Sequence, residues 1–212
     1  MGTSEKYHTE YLSYDSARVL VWKEIVRYIF ELIPKPESVL ELGAGYCNFI
    51  NAVPASRRMA IDYWPEFKQY AGKGVICRVA DIRTGLKKLK KTDFDLIVAS
   101  NILEHLDMQY VEQVLIQCHR ILRPKGRLII IQPNFTYSYQ HYFDDYTHKT
   151  VFTHISLANL LLEKGYIIER VEKKFLPMTF KSRWPKWPFL VRLYFRIPFK
   201  FFAGQMLIIA RK

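Results

Sequence analysis

Cysteine is scarce in this chain, with Cys47, Cys77 and Cys118 the three in 212 residues. They are odd in number, far apart and in no C-x-x-C pair, which argues against a disulfide framework and a zinc site and points to a reducing, cytoplasmic compartment. Also missing is any apolar run of the about 20 residues that a membrane span needs. The opening MGTSEKYHTEYLSYDS lacks the apolar centre of a signal peptide, so a soluble protein is expected. Acidic residues are absent from one region: Lys173 to Lys212 hold ten Lys or Arg and no Asp or Glu. The other 172 residues carry 22 basic and 20 acidic groups, so nearly all of the net charge of +12 lies at the C-terminal end. Such asymmetry suits an anionic partner, whether the inner face of a membrane, a phosphorylated substrate or, less well, nucleic acid; it equally suits a solvated basic surface.

What is present points to one well-buried domain, since half of the residues are hydrophobic. Leu20, Ile25, Val26, Ile29, Leu32 and Ile33 recur at helical spacing until Pro34 and Pro36 stop them. Residues 1–36 therefore read as an N-terminal helical extension and residues 37–212 as the main domain. Five short runs without polar alternation follow: SVLEL, RRMAID, GVICRVAD, FDLIVAS and GRLIIIQ. Runs of this kind suit strands buried on both faces, and their alternation with helical stretches predicts a doubly wound, mostly parallel α/β sheet with helices on both faces. One connecting helix is predicted from Met108 to Leu122, with Pro124 and Gly126 beyond its end. Another lies in THISLANLLLEKGY, capped by Thr153 or Ser156 and ended by Gly165. Two further strands, YIIERVEKKF and GQMLIIARK, flank a basic aromatic insertion at about 181–203.

The stretch VLELGAGYCNFI carries the most chemistry. Gly43 and Gly45 follow a strand that ends near Glu41, so backbone can approach a ligand where a Cβ would clash, with a helix N-terminus behind. A dinucleotide fold would place a third glycine where Asn48 stands. Asp62 lies nineteen residues after Gly43 and ends the second run, where an acid can accept both hydroxyls of a ribose. Asp81 ends the third run. In a parallel sheet the carboxyl ends of neighbouring strands open on one edge, so Glu41, Asp62, Asp81 and Asn101 would line one crevice. A rim of carboxylates repels pyrophosphate and suits a ligand with a positive centre.

Taken in order, VLELGAGYCNFI, AIDYW, VADI, FDLIVASNILEHL and ILRPKGRLIIIQPN resemble the successive motifs of class I S-adenosylmethionine-dependent methyltransferases, from Ser38 to Asn134. The resemblance extends to a bacterial branch associated with surface polysaccharides and related small-molecule pathways, and it implies the strand order 3-2-1-4-5-7-6 with the last strand antiparallel. It further implies that Glu41, Gly43, Ala44 and Gly45 hold the methionine portion of the cofactor. Asp62 would take the ribose, with Tyr63 beside it, Asp81 the adenine amino group, Ile82 the ring, and Asn101 would lie near the sulfonium. The third loop position, often glycine in the family, is Cys47.

Methyl transfer from a sulfonium is an in-line displacement, so holding the nucleophile near the methyl group supplies most of the catalysis. A hydroxyl acceptor would also benefit from a base. The segment FTYSYQHYFDDYTHKT, dense in aromatics, reads as a substrate lid. His148 is the first candidate base, His105 the second and His141 the third. His105 can instead pack against Glu104, and His148 can bond Asp144 or Asp145. The spacing of His141, Asp144, Asp145 and His148 matches no recognised zinc pattern, and no metal is expected. In the insertion, Leu190, Val191, Tyr194, Phe195 and Ile197 form an apolar stripe with Arg192, Arg196 and Lys200 opposite; it reads as core packed on the sheet, as a membrane-surface element, or as an aromatic and basic platform for bases. The expected activity is methyl transfer from S-adenosylmethionine to a small-molecule or glycan-type acceptor, on oxygen. Its rivals are an NAD(P)-dependent oxidoreductase and a non-catalytic nucleoside-binding module tethered by its basic end to a membrane or acidic partner.

Overall fold

The computed structural model of the chain describes residues 14–177, 187–197, 200 and 202–212. Of the basic aromatic insertion expected at about 181–203, residues 181–186, 198, 199 and 201 lie outside the described residues. Five strands, β1 (Ser38–Leu42), β2 (Arg57–Asp62), β3 (Val75–Val79), β4 (Phe94–Ser100) and β5 (Leu122–Pro133), pair in parallel. β6 (Ile167–Pro177) and β7 (Ala203–Arg211) complete one seven-stranded sheet of order β3-β2-β1-β4-β5-β7-β6, with β7 antiparallel to both of its neighbours. This is the predicted order.

The lack of polar alternation in the strand sequences follows from burial on both faces. Leu40, Ile61, Ile97, Ile130 and Ile208 pack under α3 (Ile82–Lys87), α4 (Met108–Ile121) and α6 (His154–Glu163). Val39, Ala60, Val98, Ile129 and Leu207 face the other way, under α1 (Ala17–Leu32), α2 (Asn48–Ala52) and α7 (Pro188–Arg196). A short α5 (Phe135–Ser138) follows β5. The edge strands β3 and β6 are more exposed and carry charge, such as Arg78 on β3 and Glu169 and Arg170 on β6, which discourages further pairing.

Local chemistry sets the element ends. Thr153 Oγ1 accepts from the Ser156 N–H at 3.1 Å while Ser156 Oγ accepts from the Thr153 N–H at 2.9 Å, a reciprocal box that starts α6. Gly165, at φ +86°, ends that helix in the left-handed conformation. One boundary differs from expectation. α4 stops at Ile121 and the chain enters β5 at once, with Leu122 paired to Phe94. The register then shifts, so that Arg127 pairs with Leu96, and Lys125 takes φ +65°. The Pro124 and Gly126 signals thus mark an irregularity inside a long strand rather than a separate turn.

Three basic residues of the C-terminal region, Arg192, Lys200 and Arg211, are answered by acids from elsewhere in the chain. Phe195 of α7 is buried and stacks on Tyr28 of α1, ring centroids 4.6 Å apart. Arg192 forks onto the buried Glu24 carboxylate at 2.6 and 2.8 Å. Arg211 bonds Glu169 at 2.9 Å. Glu172 gathers three donors: the Tyr28 hydroxyl at 2.5 Å, Arg170 at 2.7 Å and Lys200 at 2.8 Å. The opposite side of α7 leaves Trp187, Phe189 and Leu193 exposed.

Burial alone would raise the Glu172 carboxyl, but bonds from Lys200, Tyr28 and Arg170 and the charge of Lys200 outweigh it and hold the group below its ordinary value. Stability from this cluster is therefore complete above the unfolded carboxyl value of about 4.3 and is lost as the pH falls through the lower folded value. Glu172→Ala should cost about 3 kcal/mol at pH 7, because Lys200 and Tyr28 lose their acceptor. In urea unfolding the gap between wild type and variant should shrink below about pH 4; a constant gap would remove the electrostatic cause.

Candidate active site

After β1 the chain turns through Gly43 at φ +65°, Gly45 at φ +47° and Cys47 at φ +56° before α2 begins. A Cβ on Gly43 would lie 2.8 Å from Ile102 Cδ1, so this glycine lets the segment after β4 close onto the loop after β1. Cys47 adopts a left-handed backbone without being glycine; its buried sulfur sits 3.6 Å from the Phe67 carbonyl, and burial raises its thiol far above the usual range.

Two acids hold this turn. Asp62, buried at the end of β2, accepts the Gly45 N–H on one oxygen at 2.8 Å and the Trp64 N–H on the other at 2.9 Å. Each carboxylate oxygen can accept a further bond. Glu41, buried in β1, accepts the Ile50 N–H at 3.1 Å. Burial pushes its carboxyl well above the ordinary value, against the Ile50 bond, and the neighbouring Asp62 charge adds to the rise.

The remaining candidates lie along the same edge. Ala44 is buried within the glycine loop and Tyr63 is exposed beside Asp62. Asp81 caps α3 by accepting from the Arg83 N–H and Nε, both at 2.9 Å, and the bond from the Arg83 side chain holds its carboxyl below the usual range. The same guanidinium lies 3.6 Å from the centre of the Tyr110 ring. Ile82 is buried at the start of α3. Asn101 follows β4 at φ +50°, its N–H bonded to the Ile131 carbonyl at 2.8 Å and its amide exposed.

A second constellation forms where the segments after β4 and β5 meet. The Glu104 carbonyl accepts the N–H groups of Lys149 and Thr150 at 2.8 and 3.1 Å, and Thr150 Oγ1 bonds the Leu106 carbonyl at 2.6 Å. The aromatic segment is therefore pinned rather than loose. Tyr142 is its buried anchor, with its hydroxyl on the Thr150 carbonyl at 2.6 Å, while Tyr139, Phe143 and Tyr146 are exposed.

This pinning sets the His105 and His148 rings 4.9 Å apart. His148 Nδ1 lies 2.6 Å from the Tyr142 carbonyl, which can only accept, so Nδ1 carries the proton. Thr147 Oγ1 lies 2.5 Å from Asp145 and 2.8 Å from His105 Nδ1. The hydroxyl proton goes to the carboxylate, so His105 Nδ1 donates to Thr147. Burial and the neighbouring His148 lower His105 to about 4. Glu104 is fully buried, and burial raises its carboxyl to about 8. His141 lies apart, paired with Asp144 at the surface at 2.9 Å. Local spacing alone did not reveal the grouping of Glu104 with His105 and His148, because 43 residues separate the two histidines.

Comparison with known proteins fits this geometry. Residues 40–130 match the family described as a methyltransferase domain. An S-adenosylmethionine-dependent methyltransferase from Archaeoglobus fulgidus superposes with a TM-score of 0.72 at 18% identity, covering 100% of both chains. The N-methyltransferase NodS from Bradyrhizobium japonicum WM9, in complex with S-adenosyl-L-homocysteine, gives 0.65 at 16% identity over 95% of this chain and 90% of its own. The 1,6-didemethyltoxoflavin-N1-methyltransferase of Burkholderia thailandensis, with 1,6-didemethyltoxoflavin and S-adenosylhomocysteine bound, gives 0.62 at 20% identity over 99% and 84%. No curated protein matches the sequence. At these identities the likenesses establish the fold, that of S-adenosylmethionine-dependent methyltransferases, and the domain match covers residues 40–130 of it.

Asp62→Ala removes the acceptor of two buried N–H groups. It should lower stability by about 1–3 kcal/mol and weaken S-adenosylhomocysteine binding at least about tenfold, the equivalent of one lost hydrogen bond to a charged group. Unchanged affinity in a folded variant, measured by isothermal titration, would remove Asp62 from the cofactor site.

Proposed function

We propose that the chain is an S-adenosylmethionine-dependent methyltransferase that acts on an oxygen of a small-molecule acceptor, of which sugar-type or phosphorylated hydroxyl compounds are the leading class. Glu41, Gly43, Ala44 and Gly45 would hold the amino-acid end of the cofactor, Asp62 the ribose hydroxyls with Tyr63 alongside, and Asp81 and Ile82 the adenine, with Asn101 nearest the reacting centre. The donor set suits this ligand, since Glu41 stands one residue before the end of β1, Asp62 ends β2 and Asp81 stands just beyond β3. Bound there, S-adenosylmethionine supplies an electrophilic methyl group.

The observation that carries the choice of oxygen is the pinned pair His105 and His148, placed by two loops at the same edge of the sheet. A hydroxyl must lose its proton as it attacks, whereas a neutral amine need not lose one beforehand. With Nδ1 committed to the Tyr142 carbonyl, His148 offers its other nitrogen as the acceptor of that proton. His105, oriented through Thr147 and Asp145, backs it. His141, exposed and paired with Asp144, is the weakest of the three.

His148→Ala should lower turnover about 100-fold or more, the usual worth of a positioned base, with S-adenosylhomocysteine affinity nearly unchanged. The check is transfer of a labelled methyl group to a panel of hydroxylated and amino acceptors. Product on amines alone, or wild-type turnover in the variant, would overturn the oxygen reading.

A further inference from the structure

Glu104 is the anomaly of the site. Its side chain is fully buried, and apart from the influence of its own backbone N–H neither carboxylate oxygen has a hydrogen-bond partner among the described residues. A buried carboxyl without donors is costly and requires either a proton of its own or a cation beside it. What surrounds it fits a cation. Glu104, His105 and His148 each offer one donor atom, and these atoms lie within 4.8 Å of one another.

The hydrogen bonds behind the two rings strengthen the case. Metal-binding imidazoles commonly donate their second ring N–H to a carbonyl or carboxylate, which fixes the tautomer and aims the other nitrogen. His148 does this directly, through Nδ1 to the Tyr142 carbonyl at 2.6 Å. His105 does it in two steps, through Nδ1 to Thr147 Oγ1 at 2.8 Å and from that hydroxyl to Asp145 at 2.5 Å. In both rings Nε2 is left as the basic nitrogen.

We propose that Glu104, His105 and His148 form a binding site for one divalent first-row transition-metal cation. Two imidazoles and one carboxylate are a donor set for such ions, and three protein ligands leave coordination positions open for water or for an acceptor oxygen. The inference rests on the oxygen-acceptor reading only in what the open positions would serve: a coordinated hydroxyl loses its proton more readily, a role that replaces proton uptake by His148. The cation site itself is independent of that reading.

The test uses full-length, tag-free protein stripped with a chelator, dialysed and titrated with Co2+, Zn2+ and Mn2+ in turn. One equivalent of Co2+ or Zn2+ should bind per chain, the Co2+ form with visible absorption bands of a nitrogen- and oxygen-ligated ion. Glu104→Gln and His148→Gln should each weaken uptake by more than about a hundredfold, and Thr147→Val, which removes only the oxygen behind His105, by about 10–100-fold. Circular dichroism and S-adenosylhomocysteine binding on the same samples report folding and the cofactor site, so a wild-type protein that binds S-adenosylhomocysteine but takes up no metal refutes the cation site alone. Should either glutamine variant fail to fold, Thr147→Val decides. Absence of stoichiometric uptake of all three ions, or uptake indifferent to these substitutions, would overturn the proposal.

Discussion

The Asp62 carboxylate is the contact on which the site depends. One side chain at the end of β2 receives the amide of Gly45 from the loop after β1 and the amide of Trp64 from the segment leading to the Pro65–Tyr70 turn. Bonds from backbone N–H groups to a buried carboxylate are charge-assisted and roughly twice as strong as neutral ones. They fix a left-handed turn that would otherwise be free to move. The same turn carries the glycines and shapes the start of α2, where Glu41 takes the Ile50 amide. Loop, helix start and the acid at the end of β2 are thus one hydrogen-bonded unit.

The two halves of the crevice are coupled through small contacts. The absent Cβ of Gly43 makes room for Ile102, and two residues further on the Glu104 carbonyl anchors the segment that carries His148. A side chain at position 43 would therefore disturb more than the glycine loop, because it would push on the turn that sets Glu104 and His105. Placement of all these groups outside the carboxyl ends of the strands follows the rule for ligands in open α/β sheets.

Much of this was legible in the sequence because it is local. Continuous apolar runs such as FDLIVAS announce strands buried on both faces, and Thr153, Ser156 and Gly165 announce the limits of a helix. The resemblance in motif order supplied the strand order, including the return of GQMLIIARK between β5 and β6. What was not legible depends on pairs distant in sequence. The basic C-terminal residues Arg192, Lys200 and Arg211 looked outward-facing because their acids, Glu24, Glu172 and Glu169, lie elsewhere in the chain. The packing of Phe195 on Tyr28 realises the core reading of part of the stripe, whereas Trp187 and Leu193 remain on the surface. Nor could spacing show the long start of β5 or the left-handed Cys47, since a neighbouring fold element imposes each. The histidines were visible as candidates, but their partnership arises from Glu104 carbonyl bonds to Lys149 and Thr150, a backbone contact that side-chain identity does not encode.

The acid-lined glycine crevice as the S-adenosylmethionine site is tested most directly by calorimetric titration of the full chain with S-adenosylhomocysteine, and in parallel with NAD and NADP. Micromolar binding of S-adenosylhomocysteine at one site per chain, without measurable binding of either dinucleotide, is the expected result. Binding of a dinucleotide in its place would contradict the assignment of Glu41, Asp62 and Asp81.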